Sequence, residues 1–369
     1  MKKLLISTLF SILLLICSVS NIHAQTQPDT FYRAKVLAIV DQGETINDTG
    51  TNPFQEVELQ ILDGDKKGTK MAINYGKDVA LTNSQLVKVG DTVVVVKTSG
   101  PEGNAIYQIS DQYRLGAVWP ILIIFFLIVI ILSQWKGVGS ILGMIISLGV
   151  IIRYIIPQIL SGQNPLVVSI IGCFVIMIVT IYLAHGFSKM TTIAVVSTFL
   201  TLIGIGLISA LFVKLTFLTG LGSEDASSLR FGVTSNIDFR GLFLGGIIIG
   251  ALGVLDDVTT GLSASIFELA KANPKFKFKQ LFLSGLSIGK EHVSSLVNTL
   301  VLAYAGSSMP IFLILVLNPN HYPIWTVLND GLIVEEIVRT ISGSIGLVAA
   351  VPLTTFMAAF FVAKINKTK

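Results

Sequence analysis

The sequence predicts a polytopic all-α membrane domain of about seven transmembrane helices, some of them broken, preceded by a small all-β, barrel-like (OB-like) domain. Composition supports the membrane part: hydrophobic residues make up 52% of the 369 residues, charged residues only 13%, and the mean hydropathy is +0.77. Patterning separates the two parts. Residues 25–115 are polar and rich in turn signals, whereas apolar stretches of spanning length follow from residue 117 onward.

The N-terminus has the composition of a secretory signal. Lys2 and Lys3 precede an apolar core that ends at Cys17, and small residues follow. Residues 1–24 are therefore predicted to be a signal peptide or an uncleaved anchor. In both cases the segment that follows lies outside the cytoplasm.

Residues 25–115 are predicted to form this extracytoplasmic β-domain. Five short runs of alternating or β-branched residues are separated by Gly-rich connections, as in small barrels and sandwiches. The domain contains no His, Cys or carboxylate cluster with catalytic or metal spacing, which favours binding of a protein partner or a role in assembly over chemistry. The five runs are Arg33–Val40, Gln55–Leu62, Lys70–Asn74, Thr92–Val96 and Ala105–Ile109.

Residues 116–369 are predicted to form the multipass transmembrane domain, surrounded by the lipid bilayer. With the β-domain outside, the lysine-rich connections and the C-terminus fall in the cytoplasm, as the positive-inside rule requires. The first four spans carry few polar residues, and no long basic run indicates nucleic-acid binding. The seven predicted spans are residues 117–134, 138–156, 166–184, 191–213, 241–263, 292–318 and 341–363.

Polar residues collect in three segments of the C-terminal half, and the first contains two adjacent aspartates. Asp256 and Asp257 end an apolar run, although carboxylates at membrane depth cost roughly 2.5 to 3.5 kcal/mol each. Neighbouring like charges oppose joint ionisation, which makes the pair a candidate site for a proton or a cation. We expect a helix break from Thr259 to Gly261 that exposes backbone groups beside the pair. The alternative is that the helix ends here and an aspartate caps the next helix.

The second segment carries a polar stripe. Helical spacing places Glu291, Ser295 and Asn298 on one face. Glu291 reaches the depth of Asp257 if the segment enters the membrane at once, whereas a flat amphipathic start over residues 280–289 would leave these groups at the interface. The polar residues of interest are Lys290, Glu291, His292, Ser295 and Asn298.

The third segment begins with Glu335, Glu336 and Arg339. Glu335 and Arg339 are one helical turn apart, so an ion pair between them is expected. The alternative is that the group forms an outer gate or one wall of a site. Pro352 marks a possible kink further along the same span.

Together the three segments define a candidate substrate- or ion-binding site. Its charged residues, counted with Glu335, carry a formal charge of −3, which favours a cation or protons over an anion. No metal-ligand spacing is present, and the sequence does not identify a cofactor. The candidate residues are Asp256, Asp257, Thr259, Lys290, Glu291, His292, Ser295, Asn298, Glu336 and Arg339.

Three motifs resemble the YibE/F-like family of bacterial multipass membrane proteins, and the resemblance covers most of residues 117–363. Members commonly have an Arg-Asp-His or Lys-Asp-His triplet, so Glu291 is a conservative change that keeps a carboxylate. The resemblance implies an exported N-terminal domain and a multipass helical domain in a bacterial cell membrane, and it implies no activity. The motifs are Gly250-Ala-Leu-Gly-Val-Leu-Asp-Asp-Val-Thr, Gly289-Lys-Glu-His292 with Val297-Asn-Thr-Leu-Val-Leu-Ala-Tyr-Ala-Gly-Ser307, and Glu336-Ile-Val-Arg-Thr with Gly343-Ser-Ile-Gly-Leu-Val.

A transporter or permease with a proton- or cation-linked polar site explains these features with the fewest assumptions. A membrane scaffold or assembly factor that binds a partner through residues 25–115 is the alternative. An intramembrane hydrolase is less favoured, because Asp256 and Asp257 are neighbours and point about 100° apart on a helix. The substrate, the coupling ion and the oligomeric state are not encoded in any recognisable motif.

Overall fold

The computed structural model describes residues 30–47, 50–77, 81–99, 104–232, 237–318 and 321–367. The predicted signal peptide, residues 1–24, lies outside this range. The described chain forms two compact units that divide between Ile128 and Val129. The first contains an antiparallel sheet and the second is helical.

The sheet contains the five predicted strands, in the order β3-β2-β1-β4-β5. The first two strands are longer than predicted and form a hairpin whose far end extends beyond the pairing with β4. The described strands β3 and β5 are the two end strands of the sheet, and they approach each other without pairing, so an OB-like closed barrel is not confirmed. Closure depends on long-range pairing, which alternation within one strand does not encode. The strands are β1 (Thr30–Asn47), β2 (Gly50–Ile61), β3 (Lys70–Tyr75), β4 (Thr92–Ser99) and β5 (Ala105–Gln112).

One face of the sheet forms a small apolar core that includes Val36, Leu59 and Val95. Hydrogen bonds and ion pairs link polar side chains elsewhere in the same unit. The Tyr32 hydroxyl donates a hydrogen bond of 2.7 Å to Asp65, which raises the pKa of Tyr32 to about 12 and lowers the pKa of Asp65.

Two further aspartates of this unit are paired with arginines. Arg33 binds Asp63 at 2.7 Å, and Arg114 binds Asp111. In each pair the guanidinium group holds the pKa of the carboxyl group below its usual value.

Five described helices are long and apolar enough to cross a membrane, or six if the bent pair α6 and α7 counts as one span. The predicted count of seven is therefore not confirmed. The first helix contains two of the predicted spans, and the non-helical backbone of Gln134 (φ 49°) divides them. The helices are α1 (Leu115–Leu160), α2 (Pro165–His185), α3 (Lys189–Leu215), α4 (Glu224–Gly232), α5 (Phe239–Ala272), α6 (Phe278–Ser307), α7 (Met309–Leu317), α8 (Ile324–Leu328) and α9 (Gly331–Lys367).

Helix α5 is continuous, so the predicted break from Thr259 to Gly261 is wrong, and so is the alternative of a helix end at the aspartates. The hydroxyl of Thr260 bonds to the Asp256 carbonyl within the helix, at 2.7 Å, and neighbouring helices pack around this section. The broken span is instead α6 with α7, which meet at an angle of 70° next to Ser308. Helix α6 begins at Phe278 and is also unbroken, so residues 280–289 belong to the same helix as the polar stripe.

Helices α3, α5 and α9 pack on one another at the centre of the helical unit. Helix α2 lies against α5, and α6 lies against α9. The α6 contact is close because glycines form it: a Cβ added at Gly285 or Gly289 would lie 2.6 Å from Thr355 and 2.3 Å from Val351, respectively. Small residues permit such close helix packing in membranes.

Candidate functional site

Buried hydroxyl groups collect where α3, α5 and α9 meet. Thr198 of α3 is 2.7 Å from Thr259 of α5, and the Ser197 hydroxyl lies 3.3 Å from the Met357 sulfur of α9. Ser263 follows Thr259 by one turn, and Thr354 precedes Met357 by one turn. We call the following residues the hydroxyl cluster: Ser197, Thr198, Thr201, Thr259, Thr260, Ser263 and Thr354, all buried.

Asp256 lies at the edge of the hydroxyl cluster. Its carbonyl accepts a hydrogen bond from Thr260, whereas the carboxylate oxygen Oδ1 is buried and has no hydrogen-bond partner within the described chain. Helices α2 and α5 run in the same direction, and Gly245 of α5 packs on Ser169 of α2. Asp256 and Thr180 each lie eleven residues after this contact, so Asp256 is about level with Thr180, five residues before α2 ends at His185. Asp256 as a whole is half-buried, and its Oδ1 atom is shielded from the surface.

Asp257 has different surroundings from its neighbour. Its side chain is exposed, and it interacts electrostatically with His185 at the end of α2, which also interacts with Lys136. The two aspartates therefore do not converge on one point, as expected for neighbours about 100° apart on a helix. This arrangement gives no support to aspartyl catalysis by the pair.

The hydroxyl cluster contains further oxygens without partners. Among the described side chains, the hydroxyls of Ser263 and Thr354 are buried and make no hydrogen bond. An unpaired buried hydroxyl costs about 1–3 kcal/mol, so folding alone does not favour it. Carboxylate and hydroxyl oxygens bind protons or hard cations. No group of three His, Cys, Asp or Glu side chains suited to a metal ion occurs within the described ranges.

A second polar group lies at the start of α9. The predicted ion pair between Glu335 and Arg339 is wrong: Arg339 binds Glu336 at 3.2 Å. Glu335 is buried and accepts a hydrogen bond of 3.0 Å from the backbone N–H of Gly222. Adjacent glutamates point about 100° apart on a helix. Because the loop that contains Gly222 binds Glu335, Glu336 is the glutamate that pairs with Arg339.

The pair of Glu336 and Arg339 connects three helices. Ser308, at the bend between α6 and α7, donates to Glu336 at 3.2 Å. The Arg339 guanidinium lies 5.4 Å above the ring of Phe243 in α5. This outer polar group, Glu335, Glu336 and Arg339, therefore holds the ends of α5, α6 and α9 together.

An apolar contact lies between the outer polar group and the hydroxyl cluster, and the buried hydroxyls of Ser209 and Ser342 are each one turn away from it. Arg339 and Thr354 are fifteen residues apart on α9, a distance of about 22 Å. Between them Ile205 of α3 presses on Gly346, where an added Cβ would lie 2.1 Å from the Ile205 side chain. The two polar regions are consequently separate in this conformation.

A family model described as YibE/F-like protein matches residues 121–364. The chain belongs to the YibE/F-like family. No curated protein and no solved structure matches the chain. The match covers nearly all of the helical region, including both polar groups, so the predicted membership of this family is confirmed.

The longest of the YibE/F-like motifs lies on α6, and its polar residues face away from the neighbouring helices. Leu281, Gly285, Gly289 and Leu300 are buried against α9 and α5. The predicted site residues on α6 are all exposed, so the structure does not bring them together with Asp256. They are Lys290, Glu291, His292, Ser295 and Asn298.

The α6 residues lie level with the aspartates along the helical unit. Val293 and Leu296 of α6 share an apolar cluster with Val254 and Val258 of α5, which flank the aspartates. Glu291 and the aspartates thus lie at a similar level along the helical unit, on different sides of it.

Sequence reasoning missed the polar face of α3. Ser197, Thr198, Thr201 and Ser209 are all buried, although the span was expected to carry little of interest. Ser197 and Thr198 are adjacent, and Thr201 and Ser209 follow Thr198 by three and eleven residues. All four therefore lie within about 120° of the helix circumference, and the periodicity test applied to α6 detects them too. Single hydroxyl residues attract less attention than charges because Ser and Thr are common in membrane helices.

Proposed function

We propose that this YibE/F-like membrane protein is a transporter or permease in which Asp256 and the hydroxyl cluster bind a proton or a hard cation. The observation that carries the proposal is the buried Asp256 carboxylate oxygen that lacks a partner in the described chain. The hydroxyl cluster supplies two further unpaired oxygens, and that of Ser263 lies two turns along the same helix. A buried charge without compensation is costly, so such a carboxylate takes up a proton or a cation.

The separation of the two polar regions fits transport by alternating access. Glu336 and Arg339 form the outer end of the pathway, the hydroxyl cluster forms the inner site, and the contact of Ile205 with Gly346 closes the space between them. In this proposal Asp257 and the polar residues of α6 lie beside the pathway rather than in it. Transporters commonly bind their ions near the middle of the membrane at a contact between helix bundles.

The proposal includes the predicted orientation in the cell membrane. The β-domain lies outside and the C-terminus lies in the cytoplasm, because this orientation leaves Lys136, Lys189 and the basic connection before α6 on the cytoplasmic side. Asp256 then lies near the midpoint of α5, at about the level of Thr180, which is five residues before the cytoplasmic end of α2.

The test is ion flux in proteoliposomes. The purified full-length chain is reconstituted, gradients of pH, Na⁺ and K⁺ are imposed in turn, and internal pH and cation content are followed with fluorescent indicators. We expect one gradient to drive flux above that of empty liposomes, and Asp256→Asn to abolish it, because the amide has nearly the same shape and cannot carry the charge.

Glu268→Gln is the matched control. Glu268 is an exposed carboxylate on the same helix that pairs with Lys271, so its neutralisation should leave flux unchanged. Unchanged flux in Asp256→Asn, or the absence of flux in the wild-type protein under all three gradients, would refute the transport proposal.

The alternative function is a scaffold or assembly factor, and the long β1–β2 hairpin favours it. Among the described strands, this hairpin extends beyond the pairing of β1 with β4 and of β2 with β3, so another chain can extend it by strand addition. This function predicts a stoichiometric partner that is lost on deletion of residues 25–115, together with full activity in cells of Asp256→Asn. The opposite pattern favours transport.

A further inference from the structure

The outward face of α6 carries a regular polar pattern. Ser287, Glu291, Ser294 and Asn298 follow one another at spacings of four, three and four residues, and all four are exposed. We call them the α6 seam. Since Gly285 and Gly289 contact α9 from the opposite face, the described part of the chain leaves the seam uncovered.

Lipid tails are a poor covering for the α6 seam. The seam lies beside the apolar cluster formed by Val293 of α6, Val258 of α5 and Val351 of α9. Helices α5 and α9 are each long and apolar enough to span the membrane, and α6 is so together with α7. Hydrocarbon cannot hydrogen-bond to a carboxylate or an amide, so polar groups at this depth normally face protein or water.

We infer that the α6 seam is the contact surface of a homodimer, in which α6 of one copy packs against α6 of a second copy. Alternating spacings of four and three residues are the pattern by which two helices pack along a shared seam. Two of the four residues are serines, which are small enough for close approach of membrane helices. A two-fold axis brings each seam residue near its own counterpart, so the surface must be self-complementary.

The seam satisfies this requirement. An amide both donates and accepts, so Asn298 can pair with Asn298 of the second copy. Lys290 flanks Glu291 on the same turn, and the two-fold axis brings the ammonium group of each copy near the carboxylate of the other. The lysines thereby neutralise the two Glu291 carboxylates that face each other across the axis. Lipid tails could not neutralise them. The inference does not depend on transport.

Disulfide cross-linking tests the geometry. In a background without native thiols (Cys17→Ala, Cys173→Ser), cysteine is placed singly at Ser294, Asn298, His292 or Thr299, all exposed positions of α6. Mild oxidation in native membranes should link most Ser294→Cys and Asn298→Cys chains into dimers. His292→Cys and Thr299→Cys are controls at the same depth, and because they point sideways they should link at least fivefold less.

Three outcomes would overturn the inference. Equal cross-linking at all four positions indicates random collision, and no cross-linking indicates that lipid or water covers the seam. A cross-linked product with the mass of this chain plus a different protein indicates another partner.

Dimer formation in lipid provides a second measurement that does not use cysteines. Asn298→Leu should weaken dimerisation about tenfold in single-molecule photobleaching of diluted liposomes, since a polar pair between membrane helices contributes about that much. Thr299→Val is the matched control, because the Thr299 hydroxyl already bonds to the Ser295 carbonyl of its own helix at 3.0 Å. Equal dimer fractions in wild type and Asn298→Leu would contradict the inference.

Discussion

Replacement of Thr354 by Val tests whether the hydroxyl cluster is maintained for function rather than for stability. Thr354 is fully buried, and its hydroxyl has no hydrogen-bond partner in the described chain. Valine has nearly the same shape and removes the cost of an unpaired buried hydroxyl, about 1–3 kcal/mol. We therefore expect Thr354→Val to raise the free energy of unfolding by about 1–2 kcal/mol while it weakens ion flux.

Thr198→Val is the matched control for this prediction. Thr198 is equally buried, but its hydroxyl is 2.7 Å from Thr259 and bonds to the Ala194 carbonyl at 2.9 Å. Its loss should lower the free energy of unfolding by about 1 kcal/mol. Both variants are measured by SDS titration in mixed micelles, followed by helical circular dichroism. If Thr354→Val destabilises the protein as much as Thr198→Val does, the Thr354 hydroxyl has a structural partner and the reasoning fails.

Two further predictions concern packing and acid stability. Gly346→Ala should destabilise the helical unit by about 1–3 kcal/mol because the new methyl group overlaps Ile205. In the double variant, Ile205→Ala should relieve this strain, so strictly additive effects of the two substitutions in the same unfolding assay would contradict the prediction. In the β-domain, the lowered pKa values of Asp63, Asp65 and Asp111 contribute stability that is complete above about pH 4 and is lost as pH falls through those lowered values. Near-ultraviolet circular dichroism of the tyrosines should show a weaker acid dependence in Asp63→Asn, and an unchanged acid midpoint would count against this explanation.

The sequence by itself determined the class of each part of the chain. Five alternating runs predicted the five strands, because a strand with one buried face alternates with period two. Apolar length predicted the membrane helices, and the costly carboxylates of α5 drew attention to the section that borders the hydroxyl cluster. These signals are local, so they can be read from the sequence without knowledge of the fold.

Helix continuity required the tertiary structure. The glycine and threonines after Asp257 suggested a break, yet the hydroxyl of Thr260 bonds within the helix, and α3 and α9 both pack against it. The bend appears at Ser308 instead, where the outer polar group binds the end of α6. A local sequence signal for a break is weak, and packing overrides it.

The direction of each polar face was also decided by packing. Spacing shows that Glu291 and Asn298 share one face of α6, but Gly285 and Gly289 on the opposite face turn that polar face outward. The hydroxyls of α3 are instead turned inward, where Thr198 contacts Thr259 of α5. Periodicity shows which residues share a helix face, but contacts between distant segments determine whether that face is buried or exposed. In this protein, the buried polar face of α3 belongs to the proposed ion site, and the exposed polar face of α6 is the proposed dimer surface.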